Sequence, residues 1–115
     1  MTRKLKTLST LLFTALSFVQ CQNYKILVGT YTRDTSSEGI YALKFDSKGV
    51  LKSKKLLAAS DNPSFLAFSP DKKFVYAVNE SGGQGFASAF SFDESQTTLT
   101  FLRQEPDLKG PCHMI

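Results

Sequence analysis

Residues 62–80 read N-P-S-F-L-A-F-S-P-D-K-K-F-V-Y-A-V-N-E, and this stretch decides the fold. Phe65, Leu66, Ala67 and Phe68 form a short apolar block. In Ser69-Pro70-Asp71-Lys72, Pro70 pre-sets φ for a turn, and Ser69 and Asp71 carry side chains that bond nearby backbone. Phe74, Val75, Tyr76, Ala77 and Val78 form an aromatic and β-branched block too short for a helix. The unit reads as a β-hairpin. The remainder of the chain looks like partial copies of it.

Further strands are expected over residues 24–32 (Y-K-I-L-V-G-T-Y-T), 39–46 (G-I-Y-A-L-K-F-D), 51–58, 86–93 and 98–104. Ser47-Lys48-Gly49 and residues 94–97 read as turns. Residues 33–38, 81–85 and 105–110 read as loops, the second of them a flexible glycine loop, and residues 111–115 as the start of a new strand. No stretch after residue 21 holds a 3.6-residue period, so the chain is expected to be all-β.

Laid over each other, the segments repeat. Phe45-Asp46 recurs as Phe92-Asp93, Leu51 as Leu99 and Pro63 as Pro111, each about 47–48 residues on. A period of about 40–50 residues with four strands each is the signature of a β-propeller blade. The repeat makes residues 64–68 the innermost strand of a blade, 73–79 the second, 86–92 the third and 98–103 the outer one. The first repeat then begins at its second strand. The expected organisation is a signal segment over 1–21, then a partial propeller over 22–115. Its first blade covers about 24–58, its second about 63–104, and a third begins at about 111–115. A closed ring needs at least about four blades. Two blades leave exposed edges, so this polypeptide alone is not expected to form a stable closed domain.

Composition agrees with a globular chain: 42% of residues are hydrophobic and 21% charged. The formal charge of +4 owes +3 to Arg3, Lys4 and Lys6, which leaves eleven Lys and Arg against ten Asp and Glu beyond the leader. That balance, with no basic stripe, argues against nucleic-acid binding. Arg3, Lys4 and Lys6 precede a mostly apolar run from Leu8 to Val19, which is too short to span a bilayer. The leader reads as a signal for export in a bacterium. Cys21, at the end of the apolar run, points to a lipoprotein signal whose lipidated cysteine anchors the protein to a membrane. Ordinary cleavage at Ala15-x-Ser17 is the alternative. Two cysteines and one histidine supply no metal-ligand spacing. No G-x-S-x-G elbow and no P-loop are present, and no cofactor is expected.

Residues 62–80, with V-G-T-Y-T (Val28 to Thr32), G-I-Y (Gly39 to Tyr41), A-F-S-F-D (Ala89 to Asp93) and G-P-C-H (Gly110 to His113), resemble the lactonase family of seven-bladed β-propellers. That family includes bacterial 6-phosphogluconolactonases and related fungal muconate-cycloisomerising enzymes. The resemblance covers nearly all of residues 24–115. It implies a seven-bladed ring, of which this chain holds about two blades, and hydrolysis of a sugar lactone.

Strand alternation places Thr30-Tyr31-Thr32, Asn62-Pro63-Ser64, Asn79-Glu80 and Pro111-Cys112-His113 on one face of a propeller, near its channel. His113 is the candidate general base for a water attacking a lactone carbonyl, because an imidazole titrates near neutrality. The resemblance also implies that a histidine in this setting lines the site. Glu80, Asn79, Tyr31 and Thr32 are candidate substrate contacts. Each also has a structural reading: Glu80 as a solvated turn residue, Asn79 as a strand-end cap, Tyr31 as core. Two functional alternatives stay open: a non-catalytic exported propeller that binds a carbohydrate or protein, and an inactive truncated fragment. The leader directs the chain outward, whereas a phosphorylated sugar lactone is a cytoplasmic metabolite, so an unphosphorylated lactone is one expectation.

Overall fold

The computed structural model describes residues 22–112 and residue 114. The signal segment, Cys21 and His113 therefore lie outside the described residues. Seven strands run in chain order: β1 (Tyr24–Gly29), β2 (Gly39–Phe45), β3 (Leu51–Ala59), β4 (Pro63–Phe68), β5 (Phe74–Ser81), β6 (Gln84–Asp93) and β7 (Thr98–Lys109). They form two antiparallel meanders, a three-stranded sheet β1-β2-β3 and a four-stranded sheet β4-β5-β6-β7. No helix occurs among the described residues, as expected.

The opening hairpin forms as read. Lys72 donates its backbone N–H to the Ser69 carbonyl at 2.9 Å, and Phe74 donates to Ser69 Oγ at 3.0 Å. Ser69 Oγ donates to Asp71 Oδ1 at 2.6 Å, which fixes the corner. Lys72 takes the left-handed conformation with φ 57°. The 46–50 turn is tied the same way: Asp46 Oδ1 accepts the N–H groups of Lys48 and Val50, each at 2.9 Å.

Alternation along the strands sends one set of side chains into the space between the sheets. Ile40 and Ala58 from the first sheet meet Leu66, Ala77, Phe90 and Leu99 from the second. Phe90 stacks edge-on with Phe101, ring centroids 5.8 Å apart. Burying Ile40 and Phe90 contributes roughly 1.5–3 kcal/mol each. The opposite face of the second sheet stays open: Phe65 and Tyr76 are 36% and 37% exposed. The opposite face of the first does likewise, with Ile26 49% exposed. Both sheets thus present apolar surface on each side, as blades do inside a ring.

Three expectations are corrected. First, β1 stops at Gly29 instead of Thr32. Thr32 spends its N–H on the Asn62 side chain instead of a ladder partner, so Tyr31 and Thr32 sit in a loop. Second, residues 81–85 are no flexible loop. Gly82 and Gly83, at φ 57° and 90°, make a two-residue hairpin turn that L-residues enter only with strain. Third, residues 105–109 are strand: Gln84 and Gly85 pair with Lys109 and Leu108. Pro106 and Asp107 are accommodated at a register shift, with Asp107 at φ 59°. Pro111, Cys112 and Met114 belong to no strand.

The two sheets come close together at Gly29. A β-carbon placed there would overlap the carbonyl oxygen of Pro63, a backbone atom that cannot swing aside. Gly29→Ala is therefore expected to destabilise the protein by more than about 3 kcal/mol. Gly49→Ala, at a glycine with open space around it but φ 78°, should cost only about 1 kcal/mol. Urea unfolding of the two variants beside the parent measures the contrast.

Candidate functional site

At the end of the sheets where β1 and β5 finish, polar side chains from three segments meet. Glu80, near the end of β5, is the centre. Its Oε2 accepts a hydrogen bond from Tyr31 Oη at 2.8 Å, and its Oε1 accepts one from Ser64 Oγ at 2.7 Å. Tyr31 comes from the loop after β1, and Ser64 from β4. The register of β4 against β5 slips between Pro63 and Phe65. That bulge leaves Ser64 without a ladder partner and lets its hydroxyl reach Glu80.

Asn62 joins the segments. It is buried, with φ 40°. Its Oδ1 accepts the backbone N–H of Thr32 at 2.8 Å and of Arg33 at 3.1 Å. Its Nδ2 donates to the Glu80 carbonyl at 3.0 Å, and its carbonyl accepts the Glu80 N–H at 3.1 Å. Thr32 Oγ1 in turn accepts the Asn62 N–H at 3.1 Å. One side chain thereby holds the loop carrying Tyr31 and the strand end carrying Glu80 in fixed relation.

The electrostatics follow from these contacts. Hydrogen bonds from Ser64 and then Tyr31 stabilise the Glu80 carboxylate and hold it below its ordinary value of 4.5. The same hydrogen bond, with the charge of Glu80, raises the Tyr31 phenol above its ordinary 10.0. At neutral pH the pair is a carboxylate and a neutral phenol. Tyr31 is 57% exposed, so its ring is open to a ligand. Beside it, a cleft of about 280 Å³ is lined by Glu80, Gly83, Gln84, Gly110, Pro111 and Cys112. Arg33 donates from Nη2 to the Oγ of Ser81, the residue after Glu80, at 3.3 Å.

The structure thus brings together Tyr31 and Glu80, with Thr32 one residue away on the Asn62 pin. Asn79 is placed elsewhere. Its side chain is fully buried, with Nδ2 donating to Ser60 Oγ at 2.8 Å and to the Asp61 carbonyl at 2.6 Å. Its Oδ1 accepts from Ser88 Oγ at 2.8 Å. With these atoms engaged, Asn79 braces the corner between β3 and β4 and does not open onto the cleft. Sequence reasoning passed over Ser64, Asn62 and Arg33 as site residues. The first two lie in the N-P-S corner already placed on this face, so their position was available and their roles were not. Among the described residues no cluster of His, Cys, Asp and Glu has the makings of a metal site.

The family model described as "Lactonase, 7-bladed beta-propeller" matches residues 25–115. The chain is 37% identical over 89 residues to the 6-phosphogluconolactonase of Bacillus subtilis (strain 168), a match covering 76% of this chain and 25% of that protein. It is 32% identical over 95 residues to the 6-phosphogluconolactonase of Formosa agariphila, covering 77% of this chain and 26% of the relative. The solved structure of the periplasmic gluconolactonase PpgL of Pseudomonas aeruginosa superposes with a TM-score of 0.69 at 36% identity, covering 78% of this chain and 27% of that one. The chain spans about a quarter of the length of the curated relatives it matches.

Two outcomes test the site's geometry. Because the folded pKa of Glu80 is depressed, its contribution to stability is complete above the ordinary carboxylate value and is lost as pH falls through the folded one. Tyr31→Phe removes one of the two donors, so the Glu80 carboxyl should titrate at higher pH, which carbon-13 NMR of the side chain reads directly. Asn62→Ala strips acceptors from Thr32 and Arg33 and should cost about 2–4 kcal/mol in chemical denaturation.

Proposed function

The chain belongs to the lactonase family of seven-bladed β-propellers, and on that premise we propose that the protein carrying it hydrolyses a sugar lactone. The observation that carries the reading is the ionised Glu80 carboxylate, oriented by Tyr31 and Ser64 beside an open cleft. A carboxylate held this way accepts hydrogen bonds from sugar hydroxyls or from a water. It is a poor general acid, because its proton has already left at neutral pH. The base in this reading is His113. Its support is that Cys112, the residue before it, lines the cleft with Glu80. His113 takes a proton from water as the oxygen bonds to the lactone carbonyl carbon. The tetrahedral oxyanion then collapses, the ring C–O bond breaks, and the ring oxygen leaves as a hydroxyl that recovers the proton. The product is the open hydroxy acid. Arg33, bonded to Ser81 beside Glu80, is the cation this reading assigns to the developing charge.

The names of the relatives support a gluconolactone-type substrate, and a periplasmic gluconolactonase among the solved structures supports export. An unphosphorylated lactone fits that location. In the same reading residues 1–21 direct the chain outward and Cys21 carries the lipid anchor. The exposed Tyr31 ring, a surface on which a sugar can stack, is what favours the second reading, carbohydrate binding without turnover.

Lactone hydrolysis by the full-length protein separates the two. His113→Ala is expected to lower kcat by roughly 10²–10⁴-fold, and Glu80→Gln to raise KM more than it lowers kcat. Saturable binding of the sugar with no turnover would establish the second reading. Turnover that His113→Ala leaves unchanged would remove His113 from the mechanism.

A further inference from the structure

The opposite end of the two sheets has a different chemistry. There the groove between them forms a cleft of about 280 Å³ lined by Lys25, Lys44, Lys55, Ser53, Gln96 and Thr97 among others. Three cations and several neutral hydrogen-bonding groups line it, and no carboxylate does. Both walls come from this chain: β1, β2 and β3 on one side, and the 94–97 turn of the second sheet on the other.

The cations are concentrated by the register itself. Lys25 stands directly opposite Lys44 across β1 and β2, and Lys55 stands opposite Ala42 across β2 and β3. Like charges placed opposite each other on a sheet repel and destabilise it. Two of these ammonium groups then converge on one residue. Lys25 Nζ donates to Thr97 Oγ1 at 3.0 Å, and Lys55 Nζ donates to the Thr97 carbonyl at 3.3 Å. Thr97 presents both oxygens from a left-handed conformation, φ 51°. The Lys44 ammonium, on the central strand between β1 and β3, makes no hydrogen bond or ion pair among the described residues.

Among the described residues no carboxylate is ion-paired with Lys25, Lys44 or Lys55. Asp46 is bound to Lys52 at 3.2 Å and to its own turn. Asp93 accepts from Ser95 Oγ and the Gln96 N–H. Glu94 lines the adjoining groove beside Phe68 and Phe92 and forms no ion pair with Lys25. Each ammonium bound to Thr97 keeps two further N–H donors. Convergent cations on one groove raise the local positive potential there.

We propose that this inter-sheet groove is a binding site for a tetrahedral oxyanion, a phosphate or sulfate group, either free or as an ester on a sugar. It lies at the far end of the sheets from Glu80, and it stands whether or not the lactonase reading does. The anion accepts from Lys25, Lys44 and Lys55 and removes the repulsion that the register imposes.

The test is titration of the full-length protein with inorganic phosphate, inorganic sulfate and glucose 6-phosphate, against chloride at matched ionic strength, followed by calorimetry. Saturable binding of the divalent oxyanions and not of chloride is expected. Lys44→Gln, which breaks no intramolecular bond, should weaken it about threefold, and Lys25→Gln with Lys55→Gln about tenfold or more. Lys48→Gln, on an exposed turn away from the groove, should leave it unchanged. Tighter binding of glucose 6-phosphate than of phosphate would identify an ester as the ligand, and equal binding the free ion. Absence of saturable binding, or equal affinity in the parent, Lys44→Gln and Lys48→Gln, would overturn the proposal.

Discussion

The geometry of the candidate site rests on Asn62. It sits where the chain leaves the outer strand of one sheet and enters the inner strand of the next, at a left-handed φ that asparagine tolerates better than most residues. Its amide satisfies two backbone N–H groups of the 30–33 loop and one carbonyl of β5, and its own backbone bonds to Thr32 and Glu80. Each of those groups would otherwise lack a partner at a partly buried junction, where an unmade bond costs about 1–3 kcal/mol. Aspartate would keep the acceptor and lose the donor. Alanine would lose both. The placement of the loop carrying Tyr31 against the strand end carrying Glu80 depends on this one amide.

The two polar pins at the junction divide the labour by depth. Asn79 is wholly buried and faces back toward Ser60, Asp61 and Ser88, so it fixes where β5 lies against the incoming chain. Asn62 faces the loop and fixes what β5 presents to solvent. The chain places them 17 residues apart, at the two ends of the opening stretch, so one hairpin carries both anchors.

Much of this was legible in the residues. Alternation in A-F-S-F-D and the S-P-D corner are local signals, and local signals predicted the strands and the turn at 69–72. The topology they implied put Tyr31 and Glu80 on one face, where they are found hydrogen-bonded. What was not legible depends on partners distant in sequence. Residues 105–109 carry charge and a proline and read as loop, yet Gln84 and Gly85 recruit them as strand. Thr30 to Thr32 have strand-like composition, yet Asn62 draws the N–H groups of Thr32 and Arg33 away. Ser64 reaches Glu80 only through a bulge, and a bulge leaves no mark in a residue pattern. Asn79 and Glu80 both stand at the end of a strand that points to the site face, so strand direction assigned both to it, whereas the pleat turns one inward and the other out.

The Asn62 junction also has a bearing on the order of assembly. Its partners in the 30–33 loop precede it by about 30 residues, and its partner Glu80 follows by 18. A ribosome that has exposed the chain through Glu80 has therefore released every atom the junction needs, before β6 or β7 has emerged. Contacts of this modest span close early and with little loop-entropy penalty. Each new sheet can then be docked onto its predecessor as it emerges, so propagation runs in the direction of translation. The pin is thus a ratchet in time as well as a joint in space.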